Sequence, residues 1–251
     1  RGALLAVVLL PSKARIYEDR LPGYALPTHV DERYEAALRL IRDRGPEEAT
    51  GDHVIEVVDP RVALRRARRL GTEVFLRTDT HWSPEGAGVV AEAVAEEIAP
   101  TLARRGIPQT AFHTRAADSV SHRGDLLRFL PLGPFDKLLG PGPDVITRYE
   151  TVPEEESGAG GLLDDPAIPG ALVGTSYSAN ELWNFRGALS ATLDMDFLTV
   201  AAEGEGPFAP MMGYLEGETI ADQPPELVVW EIPERYLARD LPARWRSRIG
   251  E

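Results

Sequence analysis

The chain has 251 residues, of which 43% are hydrophobic, so its length and composition suit a folded α/β domain with a sizeable core rather than a disordered chain. It contains no cysteine, which excludes disulfides, thiolate metal sites and cysteine nucleophiles. Its formal net charge of −13 disfavours generic binding to nucleic acid or to anionic membranes.

The opening segment, residues 1–10, is apolar but lacks the small-residue cleavage site of a signal peptide. We therefore predict that it forms the first core strand. No stretch of the chain approaches the roughly 18 apolar residues that a membrane-spanning helix needs. Any targeting signal or membrane anchor would lie upstream of these residues.

Short apolar runs alternate with helical patterns along the chain. Several runs lack polar alternation, which is typical of parallel strands buried on both faces. The predicted strands are residues 3–10, 54–58, 74–76, 171–173, 197–200 and 227–232. Strands that alternate with helices predict an α/β fold with a doubly wound, mostly parallel sheet.

The helical patterns show the i, i+3, i+4, i+7 spacing of one apolar face. One such face comprises Tyr34, Ala37, Leu38 and Ile41, and another comprises Val90, Ala93, Val94 and Ile98. The second helix is predicted to begin at the N-cap Ser83, with Pro84 in its first turn, and to end near Gly106. A third helix is predicted from just after Ser176 towards Leu193.

Two segments depart from this rhythm. Residues 131–170 are dense in Pro, Gly, Asp and Glu, and we interpret them as a long loop or insertion within a single domain over 1–251. The basic run of Arg61, Arg65, Arg66, Arg68 and Arg69 is interpreted as a solvated helix face.

Asp79 and His81 are two residues apart, between a predicted strand and the capped helix. Open α/β sheets place their ligands at such strand ends. A carboxylate at this spacing can hold an imidazole in one tautomer and leave the other nitrogen free as a base. The same pair can bind zinc, but His29, His53, His113 and His122 show no ligand spacing, so no metal or other cofactor is expected.

Ser176 follows a predicted strand and precedes a predicted helix. A serine at such an elbow exposes its hydroxyl beside the free N–H groups of the helix start, which can hold an oxyanion. Serine needs a base within hydrogen-bond reach, and His81 is the candidate. Such segments taken singly are more often a capped helix or a satisfied turn; together they predict a Ser176, His81 and Asp79 triad.

The residues Asp79-Thr80-His81-Trp82 resemble the DxHW signature of the alginate O-acetylation family, the SGNH-hydrolase-like AlgX and AlgJ proteins. Further similar segments occur in the family's order at residues 11–17, 174–185, 206–211 and 230–237. The resemblance implies an SGNH-like fold in which the catalytic motifs are circularly permuted, because the Asp and His precede the Ser. Since the chain stops at Glu251, it resembles AlgJ or an isolated catalytic domain more than AlgX, which continues into a carbohydrate-binding module.

The resemblance implies an O-acetyltransferase that passes an acetyl group through Ser176 to hydroxyls of a bacterial exopolysaccharide, alginate-like or other. It also implies a periplasmic location and a membrane-bound O-acyltransferase as the acetyl source. An acetylesterase with the same triad and a catalytically silent polysaccharide-binding protein remain alternatives. The oligomeric state is not predicted.

Four further residues, Tyr177, Asn180, Trp82 and Arg77, are candidates for oxyanion or substrate binding. The Tyr177 backbone N–H and the Asn180 amide can reach an oxyanion, although Tyr177 can equally pack its ring and Asn180 can cap local backbone. Trp82 can stack on a sugar or pack in the core, whereas Trp183 is interpreted as a core residue. A polyanionic acceptor would need a local basic groove, for which the candidates are Lys13, Arg15, Arg77 and Arg186.

Overall fold

The computed structural model describes residues 2–47, 54–107, 109–154 and 168–239. Within these residues, five parallel strands form one sheet: β1 (Leu4–Leu10), β2 (Val54–Val58), β5 (Gly170–Gly174), β6 (Phe197–Ala201) and β7 (Leu227–Pro233). Their order in the sheet is β2-β1-β7-β5-β6. This confirms the mostly parallel sheet and five of its predicted strands.

Helices cover both faces of the sheet, which makes it doubly wound. On one face lie α2 (Thr28–Glu47), α8 (Phe208–Glu216) and α9 (Thr219–Asp222), which pack on β1, β7 and β5. On the other lie α3 (Arg61–Arg69), α4 (Pro84–Arg105) and α7 (Phe185–Leu193). The short helices α1 (Lys13–Ile16) and α6 (Ser176–Ala179) follow the carboxyl ends of β1 and β5.

The predicted limits of α4 are confirmed. The Ser83 side chain accepts a hydrogen bond from the Gly86 backbone N–H, Pro84 stands in the first turn, and Gly106 closes the helix with a left-handed backbone at φ 61°.

The predicted continuous helix from Ser176 to Leu193 is wrong. The segment is divided by a 3-10 turn (Glu181–Trp183) and by Asn184, whose positive φ of 50° cannot continue a helix. Two separate helices, α6 and α7, therefore replace the single one.

The predicted strand at 74–76 is also wrong. These residues do not join the sheet, and Phe75 instead pairs antiparallel with Trp82 in a single isolated bridge. Val74, Phe75 and Leu76 are buried nonetheless, in the same core cluster as α4. These three apolar residues are therefore buried because they belong to a tightly packed loop. Their sequence pattern is the same as that of a short core strand.

A long antiparallel hairpin adds a second, two-stranded sheet that the sequence analysis did not predict. It comprises β3 (Phe112–His122) and β4 (Asp144–Pro153), and its largely exposed residues explain why no apolar run marked it. The segment 131–170 therefore contains a strand and the short helix α5 (Asp136–Leu139), although it was interpreted as a loop. Residues 155–167 of that segment lie outside the described residues.

The basic run on α3 is only partly a solvated face. Arg66 and Arg69 are exposed, as expected. Arg61 instead pairs with Asp59 and Glu35, and Arg68 pairs with Asp19; these three ion pairs join α3 to its surroundings. These arginines hold α3 against α2 and the segment after α1, because their guanidinium groups reach Glu35 and Asp19, which are distant in sequence.

Across the described residues, none of the helices is both long enough and apolar enough to span a membrane.

Candidate active site

Ser176 stands at a strand-to-helix elbow, as predicted. The strand β5 ends at Gly174, and Thr175 adopts an extended backbone and caps α6. A side chain at position 174 would meet the Glu231 carboxylate at 2.5 Å, so glycine is what fits between the strand and that carboxylate. The elbow thus places Ser176 at the carboxyl edge of the sheet with its side chain partly exposed.

Asp79 and His81 lie in a loop that we call the His loop, residues 76–81. The Leu76 N–H donates to the His81 carbonyl at 3.1 Å and the Ser83 N–H to the Val74 carbonyl at 3.2 Å, which closes the loop like a hairpin.

Lys13 holds this loop from the end of β1. Its ammonium donates to three of the loop's carbonyl oxygens: those of Leu76 at 2.5 Å, Arg77 at 3.0 Å and Asp79 at 3.0 Å. Lys13 therefore tethers the His loop to the sheet.

The two segments meet in a hydrogen-bonded row. His81 Nε2 lies 2.7 Å from Ser176 Oγ, and His81 Nδ1 lies 2.6 Å from Asp79 Oδ1. An ionised carboxylate only accepts hydrogen bonds, so neutral His81 carries its proton on Nδ1 and presents a bare Nε2 to the serine hydroxyl. This arrangement can remove the proton from Ser176 and activate it as a nucleophile.

Asp79 is buried, with 3% of its surface exposed, yet it is held ionised. Burial disfavours the charged form, but hydrogen bonds from His81, from His122 and from the His81 backbone N–H outweigh it and hold the pKa of Asp79 well below its usual range. The carboxylate is therefore available as an acceptor at every pH at which the imidazole of His81 can act as a base.

Two neighbours of the triad were not assigned to the site from the sequence. His122, at the end of β3, donates through Nε2 to Asp79 Oδ2 at 2.7 Å. Trp183 is buried, as expected of a core residue, but its ring also stacks on that of His81 at 5.4 Å and 18° and meets that of His122 edge to face at 5.5 Å. Its indole N–H donates to the Ser176 carbonyl at 3.1 Å.

The sequence offered little signal for either neighbour. His122 lies in no motif, and it was weighed only as a metal ligand. Trp183 lies in the family-like segment 174–185, so its nearness to Ser176 in sequence was the one available hint.

Aspartates from two other segments hold the His loop from outside. Asp125 accepts hydrogen bonds from the backbone N–H and the hydroxyl of Thr80, at 2.8 and 2.7 Å. Asp144 accepts from the backbone N–H groups of Arg77 and Thr78, both at 2.8 Å. The segment between β3 and β4 therefore has both of its ends fastened to the loop that carries Asp79 and His81.

Tyr177 takes the packing role, one of the two roles that the sequence left open. Its backbone N–H donates to the Thr175 cap at 3.4 Å, so this group is engaged in capping α6 rather than free for an oxyanion. Its ring is buried, and its hydroxyl donates to the Thr80 carbonyl at 2.7 Å. Burial raises the pKa of Tyr177, which keeps this phenol a hydrogen-bond donor. The residue links the serine elbow directly to the His loop.

The other candidates divide between structure and site. Asn180 Oδ1 accepts from the Leu182 N–H at 3.0 Å, so its oxygen caps the 3-10 turn while its amide nitrogen is not part of that cap. Trp82 is fully buried and packs against Tyr177 and Phe185, which supports the core alternative and argues against sugar stacking.

The predicted basic groove does not form from its four candidates together. Arg15 is buried and bound by Asp31 and Glu234, because its guanidinium ties α1 to α2 and to the end of β7. Arg186 pairs with Asp196. The Arg15 guanidinium is therefore unavailable to a polyanion, whereas Arg186 is exposed but has an acidic partner beside it.

Lys13 and Arg77 do line a cavity of about 1000 Å³ that adjoins the His loop. Arg77 is exposed and donates to the Gly142 carbonyl at 2.6 Å. Arg20 and Arg235 line the same cavity, and the Arg235 guanidinium lies over the Tyr177 ring. The basic side chains beside the site thus come partly from residues that the sequence analysis did not single out.

Asp79, His81 and Asp125 place one ligand atom each within 4.8 Å of one another, which is close enough for a cation. These residues already have partners in the hydrogen-bond network: Asp79 bonds both histidines, and Asp125 bonds Thr80. The network therefore accounts for the cluster without invoking a metal.

Comparisons with known proteins place the chain in a family. Residues 1–234 match the family described as "SGNH hydrolase-like domain, acetyltransferase AlgX". "Probable alginate O-acetylase AlgJ" of Pseudomonas aeruginosa is 43% identical over 253 residues, which cover 96% of this chain and 61% of the relative. Its counterpart in Azotobacter vinelandii is 41% identical over 238 residues, 93% of this chain and 58% of the relative. The chain thus spans about three fifths of the length of these curated relatives.

Solved structures show the same fold. The O-acetyltransferase domain of Pseudomonas putida AlgJ aligns with a TM-score of 0.80 at 35% identity, covering 99% of this chain and 82% of that one. Pseudomonas aeruginosa AlgX aligns with a TM-score of 0.71 at 24% identity, covering 95% of this chain and 54% of that one. With this sheet and these matches, the chain belongs to the SGNH hydrolase-like family of the acetyltransferases AlgX and AlgJ.

Proposed function

We propose that this protein is a serine-dependent polysaccharide O-acetyltransferase. The observation that carries the proposal is the row Asp79–His81–Ser176, with successive distances of 2.6 and 2.7 Å, at the carboxyl edge of the sheet. Membership of a family whose members are named alginate O-acetylases supports acetyl transfer as its chemistry.

In the first half of the reaction, His81 Nε2 takes the proton of Ser176 as Oγ attacks the carbonyl carbon of an acetyl donor. A tetrahedral oxyanion forms and collapses to acetyl-Ser176. The leaving group departs with the proton that His81 returns. Asp79 stabilises the transient imidazolium because its carboxylate faces Nδ1 in a buried, hydrogen-bonded setting.

The oxyanion needs donors that are free before the reaction. Among the described residues, no acceptor takes the backbone N–H of Ser176, and it belongs to the first turn of α6. The Asn180 side chain supplies a second donor, because only its oxygen is engaged in the cap. We therefore assign the Ser176 N–H and Asn180 Nδ2 to the oxyanion, in place of the Tyr177 N–H.

In the second half, a sugar hydroxyl gives its proton to His81 Nε2 and attacks the acetyl carbon of acetyl-Ser176. The sugar becomes the acetyl ester, and Ser176 leaves with the proton held by His81. The names of the relatives make alginate the first acceptor to test. We place the reaction outside the cytoplasm, with the acetyl group supplied by a membrane-bound O-acyltransferase.

The test uses an aryl acetate as donor and a panel of uronate and neutral oligosaccharides as acceptors. Mass spectrometry follows acetyl groups on protein, sugar and water in the parent protein and in Ser176→Ala. Ser119→Ala is the matched control, because it removes a hydroxyl from an exposed serine on β3 and leaves both the triad and the serine elbow intact. Acetyl-sugar formed by the parent and the control but not by Ser176→Ala supports the proposal.

The other outcomes separate the alternatives. Acetate released into water without acetyl-sugar, and lost in Ser176→Ala, identifies an acetylesterase. Equal behaviour of the parent and Ser176→Ala removes the nucleophile and leaves a polysaccharide-binding protein.

A further inference from the structure

We propose that His122 is a positioning residue that completes a His–Asp–His row behind Ser176. Asp79 lies between two imidazoles: Oδ1 is 2.6 Å from His81 Nδ1, and Oδ2 is 2.7 Å from His122 Nε2. The inference rests on the proposed function, because it assigns His122 a task in the reaction of the same triad.

Hydrogen bonds to both oxygens of Asp79 fix the rotation of its carboxylate. The oxygen Oδ1 accepts from His81 Nδ1 and from the His81 backbone N–H at 2.9 Å. The oxygen Oδ2 accepts from His122 Nε2 and from the Asp125 backbone N–H at 3.2 Å. Because the contact with Asp125 is long, His122 provides the stronger restraint on Oδ2. Without it, Oδ2 keeps only the long hydrogen bond from Asp125, and the carboxylate is held less firmly in line with His81.

The protonation of the row follows from its acceptor. Since the ionised carboxylate cannot donate, both imidazole nitrogens that face it carry hydrogens. His122 therefore donates from Nε2 whether its ring is neutral or charged. The hydrogen bond from His122 draws negative charge of Asp79 towards Oδ2. Less negative charge then remains on Oδ1 to stabilise the protonated His81 ring.

The His122 ring is itself held by residues outside the His loop. Trp183 meets it edge to face and also stacks on His81, so one indole fixes the angle between the two imidazoles. His122 pairs across the hairpin with Asp144, whose carboxylate binds the backbone of the His loop. The hairpin thus delivers His122 to Asp79 over 43 residues of sequence separation.

The charged groups around His122 come from several elements. The carboxylates are Asp79 and the two aspartates that fasten the His loop, Asp125 and Asp144. The cations are Lys13, which binds the carbonyl of Asp79, and Arg123, which pairs with Asp136. The carboxylates cannot donate to Asp79, and neither cation replaces the hydrogen bond of His122, because Lys13 binds carbonyl oxygens of the His loop and Arg123 pairs with Asp136.

The test compares His122→Phe, which keeps an aromatic ring against Trp183, with His122→Gln, whose amide nitrogen can take the place of Nε2. His113→Phe is the control, because it exchanges an exposed histidine for phenylalanine on the same strand. Steady-state kinetics with an aryl acetate are measured from acid to alkaline pH, together with thermal unfolding. Ser176→Ala defines the background.

We expect His122→Phe to lower kcat/KM by about 10- to 100-fold, the size typical of a hydrogen bond to a charged group. The acid limb of its pH–rate profile should move to higher pH. An Asp79 carboxylate with one hydrogen-bond donor fewer stabilises the protonated His81 ring more strongly. His122→Gln should recover most of both effects, and His113→Phe should match the parent.

A His122→Phe enzyme with the parent rate and profile overturns this inference while Ser176→Ala still shows the proposed function to hold. A loss shared by Phe and Gln, with a lower melting temperature and an unmoved acid limb, also overturns it in favour of a structural role. Activity that survives Ser176→Ala overturns the proposed function and the inference together.

Discussion

The Glu231 carboxylate, on the central strand β7, accepts the backbone N–H of Thr175 at 2.8 Å. The same carboxylate accepts the hydroxyls of Thr175, at 3.0 Å, and of Ser178, at 3.1 Å. It is fully buried beneath the serine elbow. A single acid on one strand therefore shapes the turn that follows its neighbour β5 and sets the position of Ser176.

Glu231→Ala is expected to lower the free energy of unfolding by about 2–3 kcal/mol, since it leaves buried donors without an acceptor. Glu231→Gln keeps an acceptor of the same shape and should cost far less. Chemical denaturation of the two variants and the parent measures the difference. Equal losses in both variants would mean that the acceptor is not what the elbow requires.

The pH dependence of stability supplies a second test of Glu231. Burial raises the pKa of Glu231 above its usual range. A raised folded-state pKa stabilises the fold below the unfolded-state pKa of about 4.3, and this contribution is lost as pH rises through the folded-state value. Glu231→Gln lacks this loss, so its stability relative to the parent should increase from acid to neutral pH. A difference that is constant with pH would contradict this expectation.

Lys13→Met should release the His loop, because it removes three donors from the loop's carbonyl oxygens. We expect kcat/KM for an aryl acetate to fall by about tenfold or more, on the scale of hydrogen bonds from a charged group. Hydrogen exchange at residues 76–81 should become faster. Lys137→Met is the control, since Lys137 is an exposed lysine on α5. A similar result for both lysines would show that charge, rather than the tether, matters.

Gly124→Ala should damage the site through backbone contact alone. A methyl group there would lie 2.1 Å from the Thr78 carbonyl oxygen, so the His loop or the start of the β3–β4 connection must move. We expect a marked loss of activity with only a small fall in melting temperature. Gly88→Ala on α4 is the contrast, because its new methyl group would have no atom within 4 Å. Alanine is favoured over glycine inside a helix, so this variant should be more stable by about 0.5–1 kcal/mol. Full activity in Gly124→Ala would show that the site does not depend on this close contact.

Asn180→Ser separates capping from oxyanion binding. A serine oxygen can still cap the 3-10 turn, but the amide donor is lost. We expect kcat to fall by about 100-fold with an unchanged melting temperature, as for removal of one oxyanion donor. Asn180→Ala, which loses both roles, should be equally slow and also less stable. If Asn180→Ser keeps the parent kcat, Asn180 is a cap only.

The sequence by itself determined the parallel α/β class, the limits of α4 and the residues of the candidate triad. These features are local, because a helix cap such as Ser83 and a strand such as β1 depend on residues that are neighbours in the sequence. Asp79 and His81, two residues apart, likewise needed only their own loop to meet.

Only the tertiary structure decided which residues surround the triad. The β3–β4 hairpin carries no apolar run, so no sequence pattern predicted the contact between His122 and Asp79, which are 43 residues apart. The apolar character of Trp183 was enough to predict that it is buried, whereas the stacking of its ring on His81 depends on the fold.

The tertiary structure also decided the partners of the long basic side chains. Lys13 and Arg15 were both candidates for a substrate groove, but the fold turns one onto the His loop and buries the other between Asp31 and Glu234. The partner of a long polar side chain is whichever distant backbone or carboxylate the sheet brings near, and no local pattern contains that information.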